Sequence, residues 1–343
     1  MAKIVKPVKM ADIAEKLNVS TVTVSKALTG QKGVSDEMRM RIKELAREMG
    51  YKYTGQMRDK QEEKSYNIGV VISNRYLDNS DSFYWKMYQE VASLAMARGV
   101  FTLLELLNEE DELEGKIPKL IEEDKVDGVI VIGKPGHDYV KTLEKKVKIP
   151  MVFLDFYDTE LKTDSVISNS YIGAYMLTDY LIRGGHRRIA YVGTLMVTDS
   201  VTDRYMGYAK ALMEHGIPLE QDLLIKDRDL ESGLRDTEQP IILPDEMPSA
   251  FVCNCDFIAS LVIKQIRQRG LRVPEDVSVV GFDNYLYPGL CDIGITTYEV
   301  DIREMARKSL SILTKIIKGE PHGTGLNIVE GRLIEKDSVA IIS

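Results

Sequence analysis

A chain of 343 residues with 44% hydrophobic content is too long for one core of ordinary size, and apolar enough to build more than one. Three cysteines, Cys253, Cys255 and Cys291, exclude a disulfide framework by number and spacing, and no run of about 18 apolar residues is present to cross a membrane. The net charge of −8 hides a division, because residues 1–60 hold 13 Lys/Arg against 7 Asp/Glu, a balance of +6 that leaves −14 for the rest.

A basic head on an acidic body points the head at phosphates. In the head, Ile13, Ala14 and Leu17 recur at helical spacing, the pattern breaks at Asn18, and it resumes with Val24, Ala27 and Leu28. Two short helices sharing one apolar seam form a helix-turn-helix, with Ser20 as the N-cap of the second. Residues 19–25 also have strand propensity and near-alternating polarity. The neighbours decide for helix: a third helix follows, capped by Ser35, acidic at Asp36 and Glu37, apolar at Met38, Ile42, Leu45 and Met49, and stopped by Gly50. The polar stretch after it reads as a linker, which divides the chain into a head at 1–52, a hinge at 53–65 and a body at 66–343.

In the body, apolar runs at 67–73, 100–105, 127–132 and 150–154 alternate with amphipathic stretches, and the pattern repeats at 188–193, 222–226, 249–253 and 277–281. Buried strands alternating with helices predict an α/β body of two doubly wound parallel-sheet lobes, with a ligand cleft at the carboxyl ends of the strands. Catalytic signals are thin. Gly133-Lys134-Pro135-Gly136 lacks the spacing of a phosphate loop, Cys253 and Cys255 lack a second metal-ligand pair, and His137, His186, His215 and His322 fall in no nucleophile or metal motif. No catalytic residue, metal or cofactor is expected. A dinucleotide enzyme is disfavoured because Gly69-Val70-Val71-Ile72-Ser73 stands where Gly-x-Gly-x-x-Gly would. A secreted solute-binding protein is disfavoured by the basic head and an N-terminus without an apolar signal segment, so the cytoplasm is the expected location.

At this point the residues match a known family. Asp12-Ile13-Ala14, Val19-Ser20-x-x-Thr23-Val24-Ser25 and Gly50-Tyr51 in the head, then Val126-Asp127-Gly128-Val129-Ile130, Gly185-His186-Arg187-Arg188-Ile189, Arg204-x-x-Gly207-Tyr208, residues 270–283 and Ile295-Thr296-Thr297, stand in family order. The whole chain resembles the lactose-repressor (LacI) family of bacterial transcription regulators, whose effector domain is periplasmic-binding-protein-like. The resemblance implies a homodimer whose paired heads read double-stranded operator DNA, while a small-molecule effector in each inter-lobe cleft shifts DNA affinity. By position, Thr21, Val22 and Lys26 would face base edges, and Ser20, Thr23, Ser25 and Thr29 would bond phosphates. Asp81, Phe83, Tyr84, Asp155, Arg204 and Asp283 would line the cleft and suit a carbohydrate, with a non-sugar metabolite such as a purine as the alternative. Inducer and corepressor stay open, and with no leucine heptad at the end a dimer without a tetramerisation tail is expected.

Two departures stand out. In the hinge, Tyr53 and Thr54 replace the usual Pro-Asn, Gly55 interrupts, and Lys60 takes the place of the leucine that wedges into the minor groove. Met57 is left as the candidate wedge, so a poorly helical hinge is expected. In the cleft, Cys255 stands for a common asparagine and Arg228 for an aromatic, which raises the expectation that a second arginine selects an acidic or phosphorylated sugar.

Overall fold

The computed structural model describes residues 8–28, 31–49, 51, 66–77, 83–230, 233, 240–286 and 288–342. The hinge at 53–65, and with it Met57, as well as Thr29 and Asp81, lie outside the described residues. The chain divides into two compact units, Met1–Lys64 and Ser65–Ser343.

The first unit is three helices: α1 (Met10–Lys16), α2 (Thr21–Leu28) and α3 (Asp36–Glu48). Ile13, Ala14, Val24, Ala27, Ile42 and Ala46 are buried together, with Leu17, Met38, Leu45 and Met49 packed against them. Residues 21–25 are helical despite their β-branched content, because the helix places Val24 and Ala27 in this core and leaves Val22 outside, 59% exposed. Asn18 turns the chain between α1 and α2 with a left-handed φ of 54°, a conformation that asparagine tolerates better than most residues.

The second unit is bilobal. In the first lobe β1 (Asn67–Ser73), α4 (Phe83–Ala97), β2 (Phe101–Leu107), α5 (Glu109–Glu114), α6 (Lys119–Glu122), β3 (Gly128–Ile132), α7 (His137–Lys146), β4 (Met151–Leu154) and β5 (Asp164–Ser168) follow in order. In the second come α8 (Ser170–Arg183), β6 (Ile189–Val192), α9 (Asp199–Glu214), β7 (Leu224–Ile225), β8 (Ala250–Cys253), α10 (Asp256–Gln268), β9 (Ser278–Asp283) and β10 (Thr296–Glu299). Helix α11 (Ile302–Lys318) and β11 (Leu326–Val329) return to the first lobe, and β12 (Arg332–Ile334) to the second. The sheets run β11-β5-β4-β3-β1-β2 and β12-β10-β9-β8-β6-β7, parallel throughout except for the pairing of β12 with β10.

Four strands, β5, β10, β11 and β12, carry no apolar run long enough to announce themselves. They are short, partly polar and lie towards one side of each sheet, so pairing with a neighbour makes them strands. The chain crosses between lobes three times, after β5, after β10 and between β11 and β12. At the third crossing a side chain on Gly331 would stand 2.1 Å from the carbonyl oxygen of Glu299, so only glycine fits. Its N–H donates to the Tyr298 hydroxyl at 2.6 Å, and Asn169 donates to Glu330 at 2.8 Å across the first and third crossings. Among the described residues no helix is long and apolar enough to cross a membrane.

Candidate nucleic-acid interface and effector cleft

At the start of α2 the Ser20 hydroxyl accepts from the Thr23 N–H at 3.0 Å and lies 2.9 Å from the Thr23 hydroxyl. This is N-capping, and the hydroxyls stay at the surface. Ser20, Thr21 and Val22 are exposed, while Thr23, Ser25 and Lys26 are half-buried. Helices α1 and α3 carry acids in their first turns, Asp12 in one and Asp36 with Glu37 in the other, whereas α2 carries none. The positive end of the α2 dipole is therefore not met by an acid of its own, the arrangement that favours a phosphate oxygen there.

In the body, the polar residues gather at the carboxyl ends of the strands. Asp155 directly follows β4 with φ 68°, and Asp283 ends β9 with φ 99°. Left-handed backbone at a non-glycine residue is strained, and it recurs here at corresponding places in the two lobes. Between them lies Arg204 of α9, 6% exposed. Its Nη2 donates to Asp283 Oδ1 at 3.2 Å, its Nη1 donates to the Asn254 carbonyl, and its guanidinium carbon sits 3.8 Å from the centre of the Phe282 ring. Its Nε is buried with no partner among the described residues.

Burial pushes the Asp155 carboxyl up to about 7, against the pull of the Arg204 guanidinium, with Asp283 adding to the rise and a hydrogen bond with Tyr84 opposing it. Burial likewise raises Asp283, against the same guanidinium. One cation thus acts on two carboxyl groups, the buried Asp155 and the half-buried Asp283. Tyr84 packs against Tyr76 with ring centres 4.6 Å apart and planes tilted by 39°, and Phe83 meets Tyr285 of the opposite lobe edge-on at 6.2 Å.

The structure brings Phe83, Tyr84, Asp155, Arg204 and Asp283 together, and it gives Arg228 a partner that the sequence did not announce. Its Nε and Nη2 donate to Asp227 Oδ2 at 2.9 and 2.7 Å, so its charge is already answered by the preceding residue. Cys255 stands at the N-cap position of α10, half-buried, with its thiol pushed up to about 12 by burial. Sequence reasoning missed Tyr76 and Tyr285, the buried Asn254 and Asp227, and two contacts between the lobes. Lys134 Nζ reaches Asp199 Oδ2 at 3.0 Å, and the Tyr157 hydroxyl donates to Asp203 at 3.3 Å. The one signal available was the adjacency of Asp227 and Arg228.

Residues 9–53 match the model for bacterial regulatory proteins of the lacI family, and residues 178–339 match a periplasmic binding protein-like domain. The chain is 28% identical over 330 residues to the HTH-type transcriptional repressor CytR of Escherichia coli (strain K12), covering 96% of this chain and 95% of that protein. Among solved structures it resembles the Lac repressor dimer bound to operator and the anti-inducer ONPF, with 22% identity and a TM-score of 0.66 over 98% of this chain and 100% of that one. It also resembles the transcriptional regulator CelR in complex with cellobiose, with 23% identity and a TM-score of 0.66 over 96% and 99%. With a lacI-type helical head joined to a periplasmic-binding-protein-like body of two lobes, the chain belongs to the LacI family of bacterial transcriptional regulators.

Proposed function

We propose that this protein is a transcriptional repressor that binds a two-fold operator as a homodimer and changes its grip on DNA when a sugar or sugar derivative enters the cleft between its lobes. The effector half rests on one observation: the guanidinium of Arg204 bonds Asp283 and acts electrostatically on the buried Asp155, both acids standing at strained strand ends of opposite lobes. Fixed carboxylates and a planar guanidinium offer the acceptors and donors that neighbouring ring hydroxyls need. Phe83, Tyr84 and Tyr285 add aromatic faces for the apolar side of a ring. The same rings support a second reading, in which the effector is a flat non-sugar metabolite such as a purine.

On DNA, Thr21, Val22 and Lys26 read base edges, Lys26 as a donor to guanine and Val22 against a thymine methyl. Ser20, Thr23 and Ser25 bond phosphates and set register. The repressor and dimer readings are supported by likeness to CytR and to the Lac repressor dimer on its operator. Coupling works through lobe arrangement, because α9 carries Asp199, Asp203 and Arg204 on the cleft side. A ligand can shift that arrangement only by its differential affinity for the two forms.

The test is fluorescence anisotropy of the intact protein on DNA from its own promoter, across a salt series, with neutral sugars and nucleosides added in turn. Binding should weaken steeply with salt, and one chemical class should shift the curve. A protein that binds no such fragment under any of these conditions is not a repressor of this kind.

A further inference from the structure

The reading of the cleft as an effector site leaves its charge selectivity open, and this inference rests on that reading. Among the described residues, three cations near the cleft are paired: Lys134 with Asp199, Arg204 with Asp283, and Arg228 with Asp227. The Arg228 charge is felt by Tyr76 and Tyr84 of the first lobe and by Cys255. Its side chain is 22% exposed, whereas that of Asp227 is wholly buried.

Asp227 is held from every side. Its Oδ1 accepts the Thr194 N–H at 2.8 Å, and its Oδ2 accepts Asn254 Nδ2 at 2.9 Å besides the two Arg228 bonds. The Thr194 hydroxyl in turn accepts the N–H groups of Asp227 and Arg228, both at 3.1 Å, and donates to the Arg228 carbonyl at 2.8 Å. A phosphate that drew the guanidinium away would leave a buried carboxylate without its cation, which is among the costliest single losses a protein interior can suffer.

We infer that Asp227 is a specificity-determining residue that neutralises Arg228 and reserves the cleft for an uncharged, hydroxyl-bearing effector, turning phosphorylated ones away. Specificity here comes from a built-in competitor for the arginine as much as from contacts to the right ligand.

The experiment uses the intact chain with inorganic phosphate and D-glucose 6-phosphate as probes, read by titration calorimetry and thermal shift against chloride at equal ionic strength. Wild type should bind neither probe saturably. Asp227→Asn keeps the side chain's shape and removes its charge, so it should bind phosphate at least about tenfold more tightly than wild type. Adding Arg228→Gln should abolish that gain. Should the asparagine variant fail to melt cooperatively, Asp227→Ser gives the same readout through a smaller uncharged side chain. Saturable phosphate binding by wild type that Arg228→Gln removes would overturn the inference, as would a folded, uncharged variant at 227 that gains nothing. Promoter binding by the same wild-type preparation separates the failures: phosphate binding with promoter binding intact sinks this inference alone, and loss of promoter binding sinks the repressor reading.

Discussion

Asp155→Asn isolates the cost of burying a carboxylate in the cleft. The folded protein holds this carboxyl at about 7 against an ordinary 3.8, chiefly by burial. Between about pH 4 and 7 the folded state therefore keeps a proton that the unfolded state has released, and stability falls as pH rises through that window. A tenfold difference in proton affinity between the two states is worth about 1.4 kcal/mol, so ionising Asp155 costs the fold up to about 4 kcal/mol once the pH passes its folded value. Asparagine carries no such charge, tolerates the left-handed φ of 68°, and keeps an acceptor for Tyr84. Urea denaturation of wild type and variant, followed at intervals from about pH 4 to 8, should give a stability difference that moves in favour of the variant by several kcal/mol across the range. A difference curve that stays flat would show that Arg204 already compensates Asp155 fully, and the picture of one guanidinium shared by two acids would be wrong.

Three further outcomes follow from other parts of the molecule. Ile13→Ala empties the centre of a six-residue buried cluster and should cost the head about 2–5 kcal/mol, read as lost promoter binding with the thermal transition of the body unchanged. Lys26→Ala should weaken binding to the correct operator by about 1–3 kcal/mol and relax preference at one base pair, whereas equal loss on all sequences would make Lys26 a phosphate contact. Gly331→Ala forces a methyl group against the Glu299 carbonyl at 2.1 Å and should destabilise the body by about 1–3 kcal/mol in urea; an unchanged midpoint would mean that this crossing shifts freely.

The head was legible because its signals are local. Helical spacing of Ile13, Ala14 and Leu17, a capping serine at 20 and an acidic, capped start at 35–37 each act within a few residues, and together they outweigh the strand propensity of residues 19–25. Strands β1 and β3 announced themselves for a similar reason, since a strand covered on both faces must be apolar along its length. Strands β5, β10, β11 and β12 did not, because they are short and partly polar and become strands by pairing with a neighbour.

The cleft divides in the same way. Family spacing placed Asp155, Arg204 and Asp283 in one region, and the structure adds that the two acids share one cation under left-handed strain. For Arg228, residue type suggested an anion-binding group, and the structure adds that its Nε and Nη2 are bonded to the buried Asp227. The sequence by itself determined the order of units, the trihelical head and the class of body, because periodicity and capping are written into adjacent residues. Which group answers the Arg228 charge was decided only when the fold held Asp227, through Thr194 and Asn254, against it, because an ion's surroundings depend on every group that the fold brings within reach.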